Sequence, residues 1–152
     1  FRESDVRSVG RTAIGVRGIR LADKDRVVSL IVAESDDPIL TATEKGYGKR
    51  TQLDEYRAQA RGGSGVISIK TSDRNGQVVG AIQVTDEDEM MLISDKGTLV
   101  RARASDVSII GRNTQGVTLI NIADDESLVS VAKIAETEDE EDSEEVIEPS
   151  EE

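Results

Sequence analysis

Several residue types are missing from this sequence, and each absence excludes a class of site. The 152 residues include no Cys, no His and no Trp. Disulfides, zinc sites built on thiolate or imidazole, and nucleophiles activated by histidine are therefore excluded for these residues. The aromatic residues are two Tyr and one Phe, which is too few for a surface that stacks single-stranded bases. The longest apolar runs, such as Leu30 to Ala33, are short, so neither a transmembrane helix nor a secretory signal is predicted.

Acidic residues outnumber basic ones, but the imbalance is confined to one end. The formal net charge is −12, from 19 basic and 31 acidic residues. Residues 136–152 contain 11 of the acidic side chains and no basic one, which leaves 20 acidic and 19 basic residues in 1–135. The sequence thus predicts a nearly neutral body, 1–135, and an acidic tail, 136–152, that is too polar to bury a core and is expected to be disordered.

One sequence unit occurs about three times. The pattern Arg-x-x-x-Gly-Val recurs at residues 11–16, 61–66 and 112–117. A second pattern, Ile39 to Gly46, is matched by Met90 to Gly97, 51 residues further along. A third pattern recurs at residues 25–28, 76–79 and 126–129. Because the three patterns repeat in phase, the body is interpreted as an array of units of roughly fifty residues.

Each unit is predicted to form four β-strands, because β-branched residues alternate with polar ones between clusters of Gly and Asp. Two hairpins are predicted, one from strands 39–43 and 47–53, the other from strands 90–94 and 98–103. Further strands are predicted at 26–32, 66–70 and 77–84. The side chains predicted to point inward beside the Gly-Val turns are Ile19, Ile67, Ile69 and Ile120.

Glycines at fixed places in the unit are predicted to form structural turns. They are Gly15, Gly46, Gly65, Gly97 and Gly116. A tight turn or hairpin bulge needs a positive φ, which glycine adopts readily. Short strands, regular turns and a period near fifty residues are typical of an all-β, propeller-like array of four-stranded blades.

Three stretches resemble a known family. Gly10 to Leu21, Ile39 to Thr43 with Gly46 to Thr51, and Gly111 to Val117 are similar to the repeat of the C-terminal domain of DNA gyrase A. The similarity covers residues 1 to about 135 and includes the acidic tail. It implies a β-pinwheel, a propeller-like disc of six blades that exchange strands, of which this chain would supply about the last three. Phe1 aligns with Thr51 inside a strand, so further blades are expected upstream.

The resemblance also implies a function. The family wraps duplex DNA around a basic rim, without sequence specificity, and the whole enzyme is a type II topoisomerase that uses ATP to introduce negative supercoils. The implied partners are duplex DNA and, in a heterotetramer, the remainder of gyrase A together with gyrase B. ATP and Mg²⁺ would bind elsewhere, and no cofactor, metal or catalytic residue is expected in this part. The implied location is the bacterial cytoplasm, at the chromosome, with no membrane association.

Part of the resemblance is imperfect, and two alternatives remain open. The family's wrapping motif is Gln-Arg-Arg-Gly-Gly-Lys-Gly, whereas Gln59 to Gly65 read Gln-Ala-Arg-Gly-Gly-Ser-Gly, a degenerate copy. The alternatives are the C-terminal domain of the A subunit of topoisomerase IV and a propeller that binds proteins. The acidic tail is interpreted either as a competitor for the basic rim or as a solubilising segment.

Basic side chains recur in the loop before each Gly-Val, at the hairpin tips and on the strand that follows, where they would form a curved track for phosphates. The predicted DNA-binding residues are Arg7, Arg11, Lys45, Lys49, Arg50, Arg57, Arg61, Lys96, Arg101, Arg103 and Arg112. For Arg11, Arg61 and Arg112 an alternative is a structural role, with the guanidinium bonded to carbonyls of the loop or of a neighbouring blade. The run Asp86 to Glu89 is interpreted as solvated surface.

Overall fold

The computed structural model describes residues 1–134 and contains seven β-strands. They are β1 (Ile39–Thr43), β2 (Tyr47–Thr51), β3 (Val78–Gln83), β4 (Glu89–Ser94), β5 (Leu99–Arg103), β6 (Val117–Thr118) and β7 (Leu128–Lys133). Three short 3₁₀ turns, at Glu3–Asp5, Leu53–Glu55 and Ala104–Asp106, complete the regular structure. Within these 134 residues no helix is long and apolar enough to cross a membrane. The all-β class is confirmed, and the predicted disordered tail, 136–152, lies outside the described residues.

Two β-hairpins form where the alternating pattern predicted them. β1 pairs antiparallel with β2, and β4 pairs antiparallel with β5. In the first turn Gly46 has a φ of 76°, and a Cβ there would lie 2.3 Å from the carbonyl oxygen of Ile120. Any side chain would force the backbone to shift. The other glycines predicted to form turns also have positive φ, namely Gly15, Gly65, Gly97 and Gly116.

Strands from later units complete each hairpin. The first sheet has the order β3-β1-β2-β6, and the second has the order β5-β4-β7. All the neighbouring strands are antiparallel. Because β6 belongs to the third Gly-Val pattern, the first sheet combines residues from distant parts of the chain. This exchange of strands agrees with the predicted propeller-like array of blades.

The apolar core joins the two sheets. Leu40 and Ala42 of β1 and Met90 and Leu92 of β4 are completely buried, and Leu128 of β7 is 1% exposed. These residues belong to one continuous apolar cluster. Along β4 every second residue is buried, as expected for a strand with one face on a core. The core therefore fixes the two hairpins relative to each other, and the loops and turns project from the hairpins.

The inward orientation predicted for four isoleucines is half right. Ile69 and Ile120 are buried, with 5% and 8% exposure. Ile19 and Ile67 are exposed instead, with 44% and 60% exposure. Ile19 and Ile67 lie in segments that form no strand, but so does Ile69, which is buried by other contacts.

The predicted strands 26–32 and 66–70 form no strand. Their equivalents in the next unit include β3 and β6, which pair with the two sides of the β1–β2 hairpin. Residues 1–134 contain no hairpin that pairs with 26–32 or with 66–70. Both segments therefore carry a strand pattern without the hairpin that would pair with it.

Candidate nucleic-acid interface

Exposed cations occur at the hairpin tips, on β5 and in the loops of the first units. Of the predicted residues, the exposed ones are Arg7, Arg11, Lys45, Arg57, Lys96, Arg101 and Arg103. Lys45 and Lys96 occupy the same position in the two hairpin turns. Arg101 and Arg103 lie on the same face of β5, because side chains two residues apart point the same way. These guanidinium and ammonium groups can be reached by a ligand in solution.

Two of the exposed cations form ion pairs. Lys96 pairs with Asp125, and Arg101 pairs with Glu89. The lysine and arginine side chains remain 49% and 62% exposed. Exposed ion pairs contribute at most about 1 kcal/mol, so a phosphate can replace the carboxylate. Neither pair buries its cation.

Lys49 does not lie on an exposed rim, and that prediction is wrong. Its side chain is completely buried. The Nζ atom donates hydrogen bonds to the carbonyl oxygens of Gly111, at 2.6 Å, and Arg112, and to Oγ1 of Thr114 at 3.1 Å. An ammonium with three protein oxygens as partners uses all its donors. Lys49 therefore cannot contact phosphate and instead fixes the loop above it.

Burial changes the titration of Lys49. Loss of solvation lowers the pKa of the ammonium to about 8, from 10.5. The nearby carboxylate of Glu55 acts in the opposite direction, and the guanidinium of Arg112 lowers the pKa further. The charged form of Lys49 is thus held in an environment that disfavours it.

Arg50 is also buried, with 4% exposure, and its predicted rim position is wrong. Its Nε donates to the carbonyl oxygen of Val107 at 2.8 Å. Its Nη1 lies 2.5 Å from Oδ1 of Asp86. The backbone of Arg50 exchanges hydrogen bonds with Ser108 and Ile110. Arg50 therefore joins β2 to the segment that precedes the third Gly-Val loop.

Arg61 and Arg112 bind carbonyl oxygens of the preceding unit, as the structural alternative predicted. Nη1 of Arg61 donates to the carbonyl oxygen of Arg17 at 3.1 Å, and Nη1 of Arg112 donates to that of Ile67 at 2.9 Å. Residues 17 and 67 occupy the same place in consecutive units. In the second and third units this arginine thus ties the loop to the unit before it, which leaves only its remaining N–H groups for a ligand. Arg11 is exposed.

Two exposed cations beside the third loop were missed by the sequence analysis. The backbone N–H of Lys70 donates to the carbonyl oxygen of Thr114 at 2.8 Å. The guanidinium of Arg74 lies 4.9 Å from the centroid of the Tyr47 ring and 3.5 Å from Oε1 of Gln115. A hydrogen bond from the guanidinium of Arg74 to the Tyr47 hydroxyl lowers the pKa of that hydroxyl. Basic residues at the same position in two units, Arg20 and Lys70, were the signal that could have revealed this row.

Three of the four carboxylates in the run 86–89 form ion pairs. Asp86 contacts Arg50, Asp88 contacts Lys133 at 2.7 Å, and Glu89 contacts Arg101. Burial alone would raise the pKa of Asp88, but hydrogen bonds from Lys133 and from the backbone of Thr85 outweigh it and lower that pKa. Among residues 1–134 no group of carboxylates is arranged to hold a metal ion.

The family model described as DNA gyrase C-terminal domain, beta-propeller, matches residues 1–34, 37–85 and 88–135. The chain belongs to this family. The A subunit of DNA gyrase from Klebsiella oxytoca is 60% identical over 141 residues, which cover 93% of this chain and 16% of the relative. The chain thus spans about a sixth of the length of that relative.

Two solved structures share the fold of this gyrase-family chain. A structure of the DNA gyrase A C-terminal domain superimposes with a TM-score of 0.81 and 34% identity, over 88% of this chain and 45% of that one. The C-terminal domain of DNA topoisomerase IV gives a TM-score of 0.79 and 26% identity, over 87% of this chain and 42% of that one. Both matches confirm the predicted propeller-like fold, and the higher identity favours gyrase over topoisomerase IV.

Proposed function

We propose that this chain binds duplex DNA along its exposed cations, without base-specific contacts, and bends the duplex around the domain. The observation that carries the proposal is the recurrence of exposed cations at equivalent positions of successive units. Lys45 and Lys96 mark the hairpin tips, and Arg20 and Lys70 follow the Gly-Val turns. Equivalent positions in an array follow one another along one surface, as phosphates do along a duplex.

Bending sets the number of contacts that such a surface needs. Bending a site of 20–30 base pairs costs on the order of 1–6 kcal/mol, which several phosphate contacts spread along the arc can offset. Phosphate contacts position DNA but carry no sequence information. With three aromatic residues in the whole sequence, base stacking adds little.

We propose further that the chain works as the wrapping part of DNA gyrase, a type II topoisomerase that introduces negative supercoils with ATP. The names of its relatives support this assignment. The proposed partners are duplex DNA and, in a heterotetramer, the rest of gyrase A together with gyrase B, in the bacterial cytoplasm at the chromosome. ATP, Mg²⁺ and the catalytic residues are assigned to other parts of that assembly.

A protein-binding propeller is the competing proposal. It draws on exposed apolar side chains such as Ile14, Leu30 and Val32. The residues equivalent to Leu30 and Val32 in the next unit, Ala81 and Gln83, lie on β3 and pair with β1. The exposure of Leu30 and Val32 therefore follows from the missing pairing, and the DNA-binding proposal is preferred.

The salt dependence of DNA affinity tests the proposal. Binding of the full-length protein to linear duplexes of unrelated sequence is titrated at several salt concentrations. About eight phosphate contacts give a slope of log K against log salt near about −7, and the sequences are expected to bind alike. A slope close to zero would contradict binding to the phosphates.

A further inference from the structure

We propose that Lys49 is a positioning residue for the loop of residues 111–116, and that DNA binding at this loop depends on a buried lysine that DNA does not touch. The inference rests on the proposed function. It reverses the role expected from the sequence, in which Lys49 was one of the rim cations.

The geometry under the loop supports this role. Lys49 projects from β2 into the base of the loop, where its side chain has no exposed surface. Its three donors bind two backbone carbonyls and one hydroxyl of residues 111–114. The hydroxyl of Thr114 in turn donates to the carbonyl oxygen of Gly111 at 2.8 Å. Hydrogen bonds from an ionised donor are about twice as strong as neutral ones, so the loop backbone is held at several points by one side chain.

A second buried polar side chain fixes the other end of the loop. Asn75 has no exposed surface, and its Nδ2 donates to the carbonyl oxygens of Lys70 and Gln115, both at 3.0 Å. Its Oδ1 accepts the backbone N–H of Ser72 at 2.8 Å. Asn75 therefore joins the loop of residues 70–76 to that of residues 111–116.

Lys49 and Asn75 fix the backbone on which three cations stand. We name these cations the loop cluster: Lys70, Arg74 and Arg112. The backbone of Lys70 is bonded to the loop at Thr114, and the side chain of Arg74 reaches Gln115. Arg112 stands within the loop. A ligand that spans successive phosphates needs such cations at fixed separations, because flexible side chains lose entropy when they are ordered on binding.

Lys49 is not needed to build the hairpin itself. The equivalent position in the second hairpin is Val100, 51 residues later, and that hairpin forms with the same antiparallel pairing. Removing an ammonium from water is costly even when it is well paired. Lys49 therefore differs from its counterpart Val100 at the position whose side chain reaches the 111–116 loop.

The test compares variants of the full-length protein. Lys49→Met removes the ammonium but keeps a long unbranched side chain. Thr51→Val is the matched control, because it removes a hydrogen bond from Thr51 Oγ1 to the carbonyl oxygen of Ile110, 2.9 Å long, just outside the loop. Duplex binding is titrated at several salt concentrations, and hydrogen exchange is followed at the loop amides.

We expect Lys49→Met to lower affinity about tenfold at low salt and to make the salt slope shallower by about 2, since about two phosphate contacts are lost. Loop amides are expected to exchange faster. Thr51→Val is expected to lower the unfolding midpoint without changing the slope. Thr114→Val, which removes one of the three partners of Lys49, is expected to give an intermediate slope.

A folded Lys49→Met protein with the wild-type salt slope would overturn the proposal, because Lys49 would then serve stability alone. If that variant does not fold, Thr114→Val decides in the same way. The double substitution of Lys70→Gln and Arg74→Gln should reduce the slope directly, and no effect would overturn the role of the loop. A slope near zero for the unsubstituted protein would instead refute the proposed function.

Discussion

The Gly-Val loops of the first and third units share a sequence pattern but differ in their surroundings. Gly15 and Gly116 have similar φ angles, 89° and 83°. A Cβ at Gly116 would lie 2.5 Å from the carbonyl oxygen of Gly48, whereas a Cβ at Gly15 would meet no atom within 4 Å. Ile14 is fully exposed. The turn is thus specified locally, but its packing depends on a hairpin from an earlier unit.

The largest expected difference is between the unpaired segment around Leu30 and the paired strand β4, in their apolar residues. Leu92→Ala removes a completely buried side chain and is expected to lower the free energy of unfolding by about 2–5 kcal/mol. Leu30→Ala, at a residue that is 87% exposed, is expected to change it by less than about 0.5 kcal/mol. Urea unfolding of both variants measures the difference. Equal losses would show that the segment around Leu30 is packed as tightly as β4.

The two loop glycines separate backbone strain from packing. Gly15→Ala is expected to cost roughly 1 kcal/mol, because alanine is strained at positive φ. Gly116→Ala is expected to cost roughly 3 kcal/mol, since its Cβ also meets the backbone of Gly48. Thermal unfolding measures both. If the costs are the same, the hairpin is not what distinguishes the loops.

The stability of the third unit is expected to depend on pH through Lys49. Its pKa is about 8 in the folded chain and 10.5 for the ordinary side chain. The unfolded chain therefore binds more protons between these values, and stability rises with pH in that range. From about pH 7 to about pH 9.5 the increase in the free energy of unfolding should be about 2 kcal/mol larger for the wild type than for Lys49→Met. Urea midpoints at the two pH values measure it, and an equal gain in both proteins would contradict the buried ammonium.

The smallest expected effect concerns the exposed cations of the second hairpin. Lys96→Glu combined with Arg101→Glu is expected to weaken duplex binding about tenfold and to make the salt slope shallower by about 2. Unrelated DNA sequences should be affected alike, because these residues contact phosphates only. Filter-binding titrations over a range of salt measure the effect. Ser105→Glu, which adds negative charge without removing a cation, serves as the control, and a comparable loss of affinity there would show that net charge alone decides.

The sequence was sufficient for the hairpins because their determinants are local. Alternating residues and a Lys-Gly turn specify β1–β2 and β4–β5, whose predicted bounds differ from the observed ones by at most two residues. Strands 26–32 and 66–70 were predicted from equally good patterns. They do not form, because pairing requires a hairpin that these residues do not contain. A strand pattern thus reports a tendency that a partner must complete.

The site was harder to predict than the fold. Exposure of Lys96 and Arg101 followed from their positions at a tip and on an outward face. Arg50 occupies the position equivalent to Arg101, and Lys49 precedes it, but their strand is covered by the third loop, a contact between residues more than fifty positions apart. The three 3₁₀ turns had no signal in the hydrophobic pattern, although they recur in phase with the repeat.

The pairing of β2 with β6 also constrains how the chain is made. The first hairpin ends at Thr51, and its outer neighbour begins at Val117. At roughly 5–20 residues per second, a ribosome takes several seconds to synthesise the intervening stretch. During that interval the N–H and C=O groups on one side of β2 have no partner strand with which to form hydrogen bonds. Nascent chains with such an open edge can pair with other chains, so the order in which blades close is a step at which assembly can fail.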